Sequence, residues 1–134
     1  MASHSNCRAI VPTDRQLSEE MIKAIIARGG VIGINFFDRF LIPPAEYKSR
    51  RASLDDVVAH IQHICQLAGN VNHVGIGTDM DGGLGKEQIP QEITASSDLH
   101  LLKDALRAAG FKADAVERIM WRNWLEFFAK HLAR

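Results

Sequence analysis

Two stretches of this chain gather side chains suited to binding ligands or metals. Val74-Gly75-Ile76-Gly77-Thr78-Asp79-Met80-Asp81-Gly82-Gly83 reads as a short apolar strand that ends abruptly in two carboxylates and paired glycines. Such a strand delivers acidic side chains to its own C-terminal end, where parallel α/β folds place ligands and metals. The second stretch opens the chain: Ser3-His4-Ser5-Asn6-Cys7-Arg8, followed by Asp14-Arg15. Both stretches lie where a strand should end.

The elements that must position them alternate along the chain. Apolar residues at Leu17, Met21, Ile22, Ile25 and Ile26 have helical spacing, with Ser18-Glu19-Glu20 in the first turn and Gly29-Gly30 as the stop. Val31-Ile32-Gly33-Ile34-Asn35-Phe36-Phe37 follows as a nearly continuous apolar run, the pattern of a strand buried on both faces. Residues 38–52, with Pro43-Pro44 and Lys48-Ser49-Arg50-Arg51, read as a long connecting loop whose basic run is solvated. Ser53-Leu54-Asp55-Asp56 resembles a capping box and opens a helix to about Ala68, ended by Gly69-Asn70. After the strand at residues 74–78 come a polar loop to about Ala95, a Ser97-capped helix over 98–109, and a last helix over about 113–132. Helix and buried strand in alternation imply parallel pairing with right-handed crossovers.

Composition narrows the function classes. Sixteen basic residues balance sixteen acidic ones, so no global field favours nucleic acid or an anionic membrane surface. The two cysteines, Cys7 and Cys65, form no zinc-finger pattern and suit a reducing compartment. No apolar stretch approaches the ~20 residues of a transmembrane span, and no signal-peptide core is visible. The expectation is a soluble, cytoplasmic protein without nucleic-acid or membrane partners.

Competing motifs fail on spacing. The Asp79 to Gly83 run lacks the later oxygen ligands of a calcium loop, and Gly75-Ile76-Gly77 lacks the third glycine and the following helix of a dinucleotide fingerprint. His60 and His63, three apart, read as ordinary polar helix positions, and Trp121 and Trp124 read as packing residues. With 134 residues and two full strands, three if Ala2-Ser3 is the tip of another, the chain is about half the ~250 residues of a (β/α)₈ barrel.

Several motifs, in this order and spacing, resemble the membrane dipeptidase (renal dipeptidase) family. They are Ser3-His4-Ser5-Asn6, Arg15 eleven residues beyond His4, Gly29 to Asn35, the His60-Ile61-Gln62-His63-Ile64 helix and the run from Val74 to Gly82. The resemblance covers essentially the whole chain. Met80 stands where many relatives carry an aromatic residue. The fold it implies is α/β, the C-terminal part of a (β/α)₈ TIM barrel of the amidohydrolase type, from about the tip of the sixth strand to the C-terminal helices. The activity it implies is that of a binuclear-zinc metallopeptidase hydrolysing dipeptides. On that resemblance His4 ligates one of the two zinc ions, Arg15 holds the free carboxylate of the substrate, and Asp79 takes a proton from the metal-bridging water and passes it towards the leaving amine. The family's other metal ligands belong to an N-terminal half, so this chain would supply one zinc ligand. The corresponding expectation is one partial-barrel domain over residues 1–134, inactive alone, that self-associates or joins a separate N-terminal half. Two readings of other classes stand beside it: a non-catalytic self-associating half-barrel, and a module that binds peptide carboxylates without hydrolysis.

Overall fold

Local capping chemistry starts the first helix. Ser18 accepts from the amide of Met21 at 3.3 Å, Glu19 and Glu20 occupy the first turn, and helix α1 runs Glu19–Ala27 with Ile22 fully buried. Gly29, at φ +66°, then reverses the chain into strand β1, Ile32–Ile34. In this computed structural model, which describes residues 1–132, β1 pairs in parallel with β2, Val74–Ile76, in the register Ile32/Val74, Gly33/Gly75 and Ile34/Ile76. On the other side of β1, Ala2 makes a parallel bridge to Ile32, donating to the Val31 carbonyl and accepting from the Gly33 amide. Ala2 thus adds a single bridged residue to the two-stranded sheet, on the side of β1 away from β2.

Helix α3, Leu54–Ala68, links β1 to β2. Ser53 and Asp56 close a capping box at its start, and Gly69, at φ +69°, ends it. Its buried residues Val57, Val58, Ile61 and Ile64 join Ile22 and the strand residues Ile32, Ile34 and Val74 in one core. Leu102 and Leu106 of helix α4, Leu101–Ala108, complete that core with Ile119.

The opposite face of the strands is lined by glycine, which lets an aromatic ring approach the backbone. A Cβ on Gly75 would lie 2.5 Å from Trp124 Nε1, and one on Gly33 would lie 3.0 Å from Trp124 Cζ2. Trp124 follows helix α5, Ala113–Glu117, and a π-helical turn, Arg118–Arg122, and belongs to helix α6, Asn123–Leu132. Val74 and Ile76 turn their carbonyls away from β1, and the two residues that follow the π turn meet them. Asn123 donates to Val74 and Val71, at 2.8 and 2.6 Å, and Trp124 Nε1 donates to Ile76 at 3.0 Å. A helix side thus satisfies strand carbonyls at the outer edge of β2.

The structure corrects several boundaries. Residues 38–52 are not a plain loop: they hold helix α2, Asp38–Leu41, and a 3₁₀ turn, Pro44–Glu46, with proline in its first turn. Nor is the basic run there simply solvated. Arg50 binds Asp56 through two nitrogens at 2.7 and 2.8 Å, and Arg51 donates to the carbonyls of Lys86 and Ile89. Asp98, rather than Ser97, caps the next segment by accepting from the amides of Thr94 and Ala95, because a 3₁₀ turn, Ser96–His100, precedes α4. The last helix is not uniform; its π turn accommodates the extra residue that aims Asn123 and Trp124 at β2. Both strands are shorter than expected, since beyond Ile34 the Asn35 backbone pairs with a side chain, that of Asn6.

Asn123→Ala would strip the Val74 carbonyl of β2 and the Val71 carbonyl of the turn before it of their side-chain donor. Urea unfolding should show a loss of about 2 kcal/mol; an unchanged midpoint would mean that water replaces the amide without cost.

Candidate functional site

Of the three residues singled out for chemistry, His4 follows the Ala2 bridge on one side of β1, Asp79 follows β2 on the other, and Arg15 lies on a turn. His4 Nδ1 lies 2.7 Å from Ser3 Oγ. Arg15 sits on the turn before α1, donates to the His4 carbonyl at 2.9 Å, and lays its guanidinium over the Phe40 ring at 4.8 Å. Asp79 stands beyond β2 at φ +58°, a left-handed conformation rare outside glycine. The side chains of His4, Arg15 and Asp79 make no hydrogen bond or ion pair with one another among the described residues. Two buried carboxamides instead link the loop that carries His4 to the Asp79 carboxylate.

Asn6 is fully buried, and its side chain behaves like a piece of strand backbone. Its Oδ1 accepts from the Asn35 amide at 2.8 Å while its Nδ2 donates to the carbonyls of Asn35 and Phe40, at 3.0 and 2.8 Å. Asn35, also fully buried, in turn donates from Nδ2 to Asp79 Oδ2 at 3.0 Å. A continuous path therefore leads from the His4 loop to the Asp79 carboxylate. Neither asparagine was singled out as a site residue by sequence reasoning. The available signal was Asn35 as the one polar side chain in the apolar run from Val31 to Phe37.

His60 is likewise more than an ordinary polar helix position. It is fully buried; the Cys7 amide donates to Nδ1 at 3.1 Å, so Nε2 carries the proton and faces the Leu41 carbonyl at 3.2 Å. The imidazole thereby pins the loop that carries His4 to both α3 and the end of α2. Burial is the main cause that pushes its pKa down to about 4. His63 stays near the surface of the same helix, 3.7 Å from Glu19.

Burial acts oppositely on Asp38, which follows the end of β1: desolvation pushes its carboxyl up to about 6 despite Arg51 at 4.0 Å. Its Oδ1 is buried and has no hydrogen-bond partner among the described residues. Both cysteines are free, and burial pushes the Cys7 thiol up to about 12, far from a reactive thiolate.

As a metal site the described residues are incomplete. No group of three or more His, Cys, Asp or Glu side chains among them converges in a metal-holding arrangement. His4 offers one imidazole, which does not fit a whole catalytic zinc site.

Comparison with known proteins places this geometry. The profile described as membrane dipeptidase (Peptidase family M19) matches residues 1–132. The chain belongs to the membrane dipeptidase family. It is 34% identical over 125 residues to an uncharacterized protein in the pqqA 5′ region of Klebsiella pneumoniae, covering 93% of this chain and 44% of that one. It is 36% identical over 132 residues to an uncharacterized dipeptidase of Schizosaccharomyces pombe, covering 96% of this chain and 29% of that one. Among solved structures it superposes on a family M19 dipeptidase with a TM-score of 0.80 at 31% identity, covering 94% of this chain and 36% of that chain. A metallopeptidase from Rhodobacter sphaeroides, liganded with a phosphinate mimic of L-Ala-D-Ala, matches with a TM-score of 0.76 at 31% identity, covering 90% and 33%. The chain therefore spans about three tenths to under half of the length of these relatives. Its fold is α/β, the C-terminal part of a (β/α)₈ barrel of the amidohydrolase type, and its family is one of metallopeptidases.

The buried imidazole yields a pH test with a definite sign. The free group titrates near 6.5 and the folded one near 4. The stability contributed by neutral His60 is thus complete above about pH 6.5 and disappears as the pH falls towards 4. The difference in unfolding free energy between the native chain and His60→Gln should narrow by roughly 3 kcal/mol between about pH 7 and pH 4. Urea titrations at several pH values check this, and the Asp38 contribution cancels because both proteins carry it. A pH-independent gap would show that the imidazole is not held neutral.

Proposed function

We propose that this chain carries the substrate-carboxylate and proton-transfer side of a zinc dipeptidase site. The observation that carries the reading is the Asn6–Asn35–Asp79 hydrogen-bond path, which links the loop of His4, whose carbonyl Arg15 binds, through the end of β1 to the Asp79 carboxylate beyond β2. Family membership supplies the reaction class, hydrolysis of a dipeptide, and the chain spans 29% of the length of the Schizosaccharomyces pombe relative.

Each residue has a role suited to its chemistry. Arg15 presents a rigid guanidinium fork to the C-terminal carboxylate of the dipeptide; stacking on Phe40 and the bond to the His4 carbonyl limit its freedom before substrate arrives. Asp79 accepts a proton from the attacking water and returns it to the leaving amine. His4 offers Nε2 as a metal ligand, while its Nδ1 lies in hydrogen-bond contact with Ser3 Oγ at 2.7 Å. Zinc, when bound, would lower the pKa of the water and polarise the peptide carbonyl. With one imidazole here, the complete centre needs ligands from another polypeptide or from a longer form of this one.

The direct test is hydrolysis of a simple dipeptide in zinc. The purified chain alone should show no turnover. Turnover should appear on adding a polypeptide that carries the first half of a family barrel, and Asp79→Asn should then lower kcat by at least about 100-fold. Turnover that is insensitive to Asp79→Asn would refute the assignment.

A second reading, self-association of the half-barrel, is favoured by an apolar cleft of about 260 Å³ beside His4, lined by Met1, Ile76, Trp124 and Phe128. Light scattering after gel filtration should give the mass of a dimer or larger assembly, and a monodisperse monomer would exclude this reading.

A further inference from the structure

We infer that Asn35 is the positioning residue for Asp79: its amide selects the rotamer of the Asp79 carboxylate. This rests on the reading of Asp79 as the proton acceptor only for its functional meaning; the geometry stands by itself.

The direction of the Asn35 amide is decided by its neighbours. Oδ1 accepts from the Phe37 amide at 2.7 Å, so the other end, Nδ2, must be the donor that faces Asp79 Oδ2 at 3.0 Å. Reversal would set an NH₂ against an N–H and a carbonyl oxygen against a carboxylate. The Asn35 backbone cannot swing away either, because its N–H and C=O are both engaged by the Asn6 side chain. Every hydrogen-bonding group of Asn35 is thus committed inside a fully buried site, and one of them is aimed at a carboxylate oxygen.

Asp79 is confined from its own side as well. Its left-handed backbone, at φ +58°, is closed by a bond from the Gly82 amide to the Asp79 carbonyl at 3.0 Å. A Cβ at Gly82 would run into Asp79 Oδ1, so the absent side chain is what lets the second carboxylate oxygen lie there. One oxygen is held by a donor and the other lies over a glycine. Asp79 makes no ion pair among the described residues; Asp81 lies on its own loop, and His4 and Arg15 lie on the loop after the Ala2 bridge. The Asn35 amide is the side-chain donor that the structure provides to this carboxylate.

A side chain held by one fixed donor keeps one rotamer, and removing the donor frees it. The test is the side-chain rotamer of Asp79, read from Hα–Hβ and N–Hβ three-bond couplings by NMR in the full chain and in two variants, with the fold of each checked by its amide spectrum. The native chain should show a single Asp79 rotamer, and Asn35→Leu should bring the couplings to the averaged values of a freely rotating carboxylate. Asn35→Asp keeps an acceptor for the Phe37 amide, which protects the local fold, and replaces the donor with a like charge, so it should release Asp79 as well. The same single Asp79 rotamer in all folded proteins would overturn the proposal. Hydrolysis plays no part in the readout, so a failure of the dipeptidase reading would be seen separately, in the turnover assay.

Discussion

Everything in this structure depends on satisfying the backbone of a narrow parallel sheet. Two three-residue strands and the single bridging residue Ala2 cannot pair all their own polar groups, and an unpaired buried amide or carbonyl is costly. Side chains complete the ladder at both margins. Asn6 stands in for strand backbone beside Asn35, beyond the Ala2 bridge, while Asn123 and the indole of Trp124 meet the outward carbonyls of β2. The first of these repairs is also the start of the path to Asp79. Closure of the sheet and preparation of the site are therefore served by the same hydrogen bonds.

The two faces of the sheet are specialised accordingly. Ile32, Ile34 and Val74 bury their side chains against α1, α3 and α4, which anchors the strands. Gly33 and Gly75 leave the other face flat enough for Trp124 to lie on the backbone, and Phe128 stacks beneath the indole at 5.6 Å. The strand ends then carry the polar residues, held by a rigid base rather than by one another. This arrangement suits a site whose side chains must meet a substrate instead of neutralising each other.

Burial sets the character of the ionisable groups around that base. His60 is kept neutral chiefly by its burial, and a proton on Nδ1 would also break the bond from the Cys7 amide. Asp38 is drawn towards its neutral form by desolvation, with Arg51 too distant to offset it fully. At the surface, the Arg50 fork on Asp56 ties the loop before α3 to the helix it caps.

Much of this was legible in the residues themselves. Alternating helix and buried strand, the glycine stops at Gly29 and Gly69, the capping box at Ser53 and Asp56, and the acidic end of the Val74 strand are local patterns, readable because capping and periodicity involve residues a few positions apart. The family and the barrel type came instead from a resemblance carried by motifs such as Ser3-His4-Ser5-Asn6, Arg15 and the Val74 to Gly82 run. What only the tertiary structure decided is which polar side chains go inside and what they hold. Asn6 finds Asn35 from 29 residues away, Asn123 finds Val71 from 52, and His60 finds Cys7 from 53. Asn35 reaches Asp79 across 44. No local pattern distinguishes a solvated asparagine or histidine from one whose partner is brought to it by the crossing of strands. Their burial follows from closure of the sheet, because only then does each carboxamide or imidazole face a backbone group that water can no longer reach.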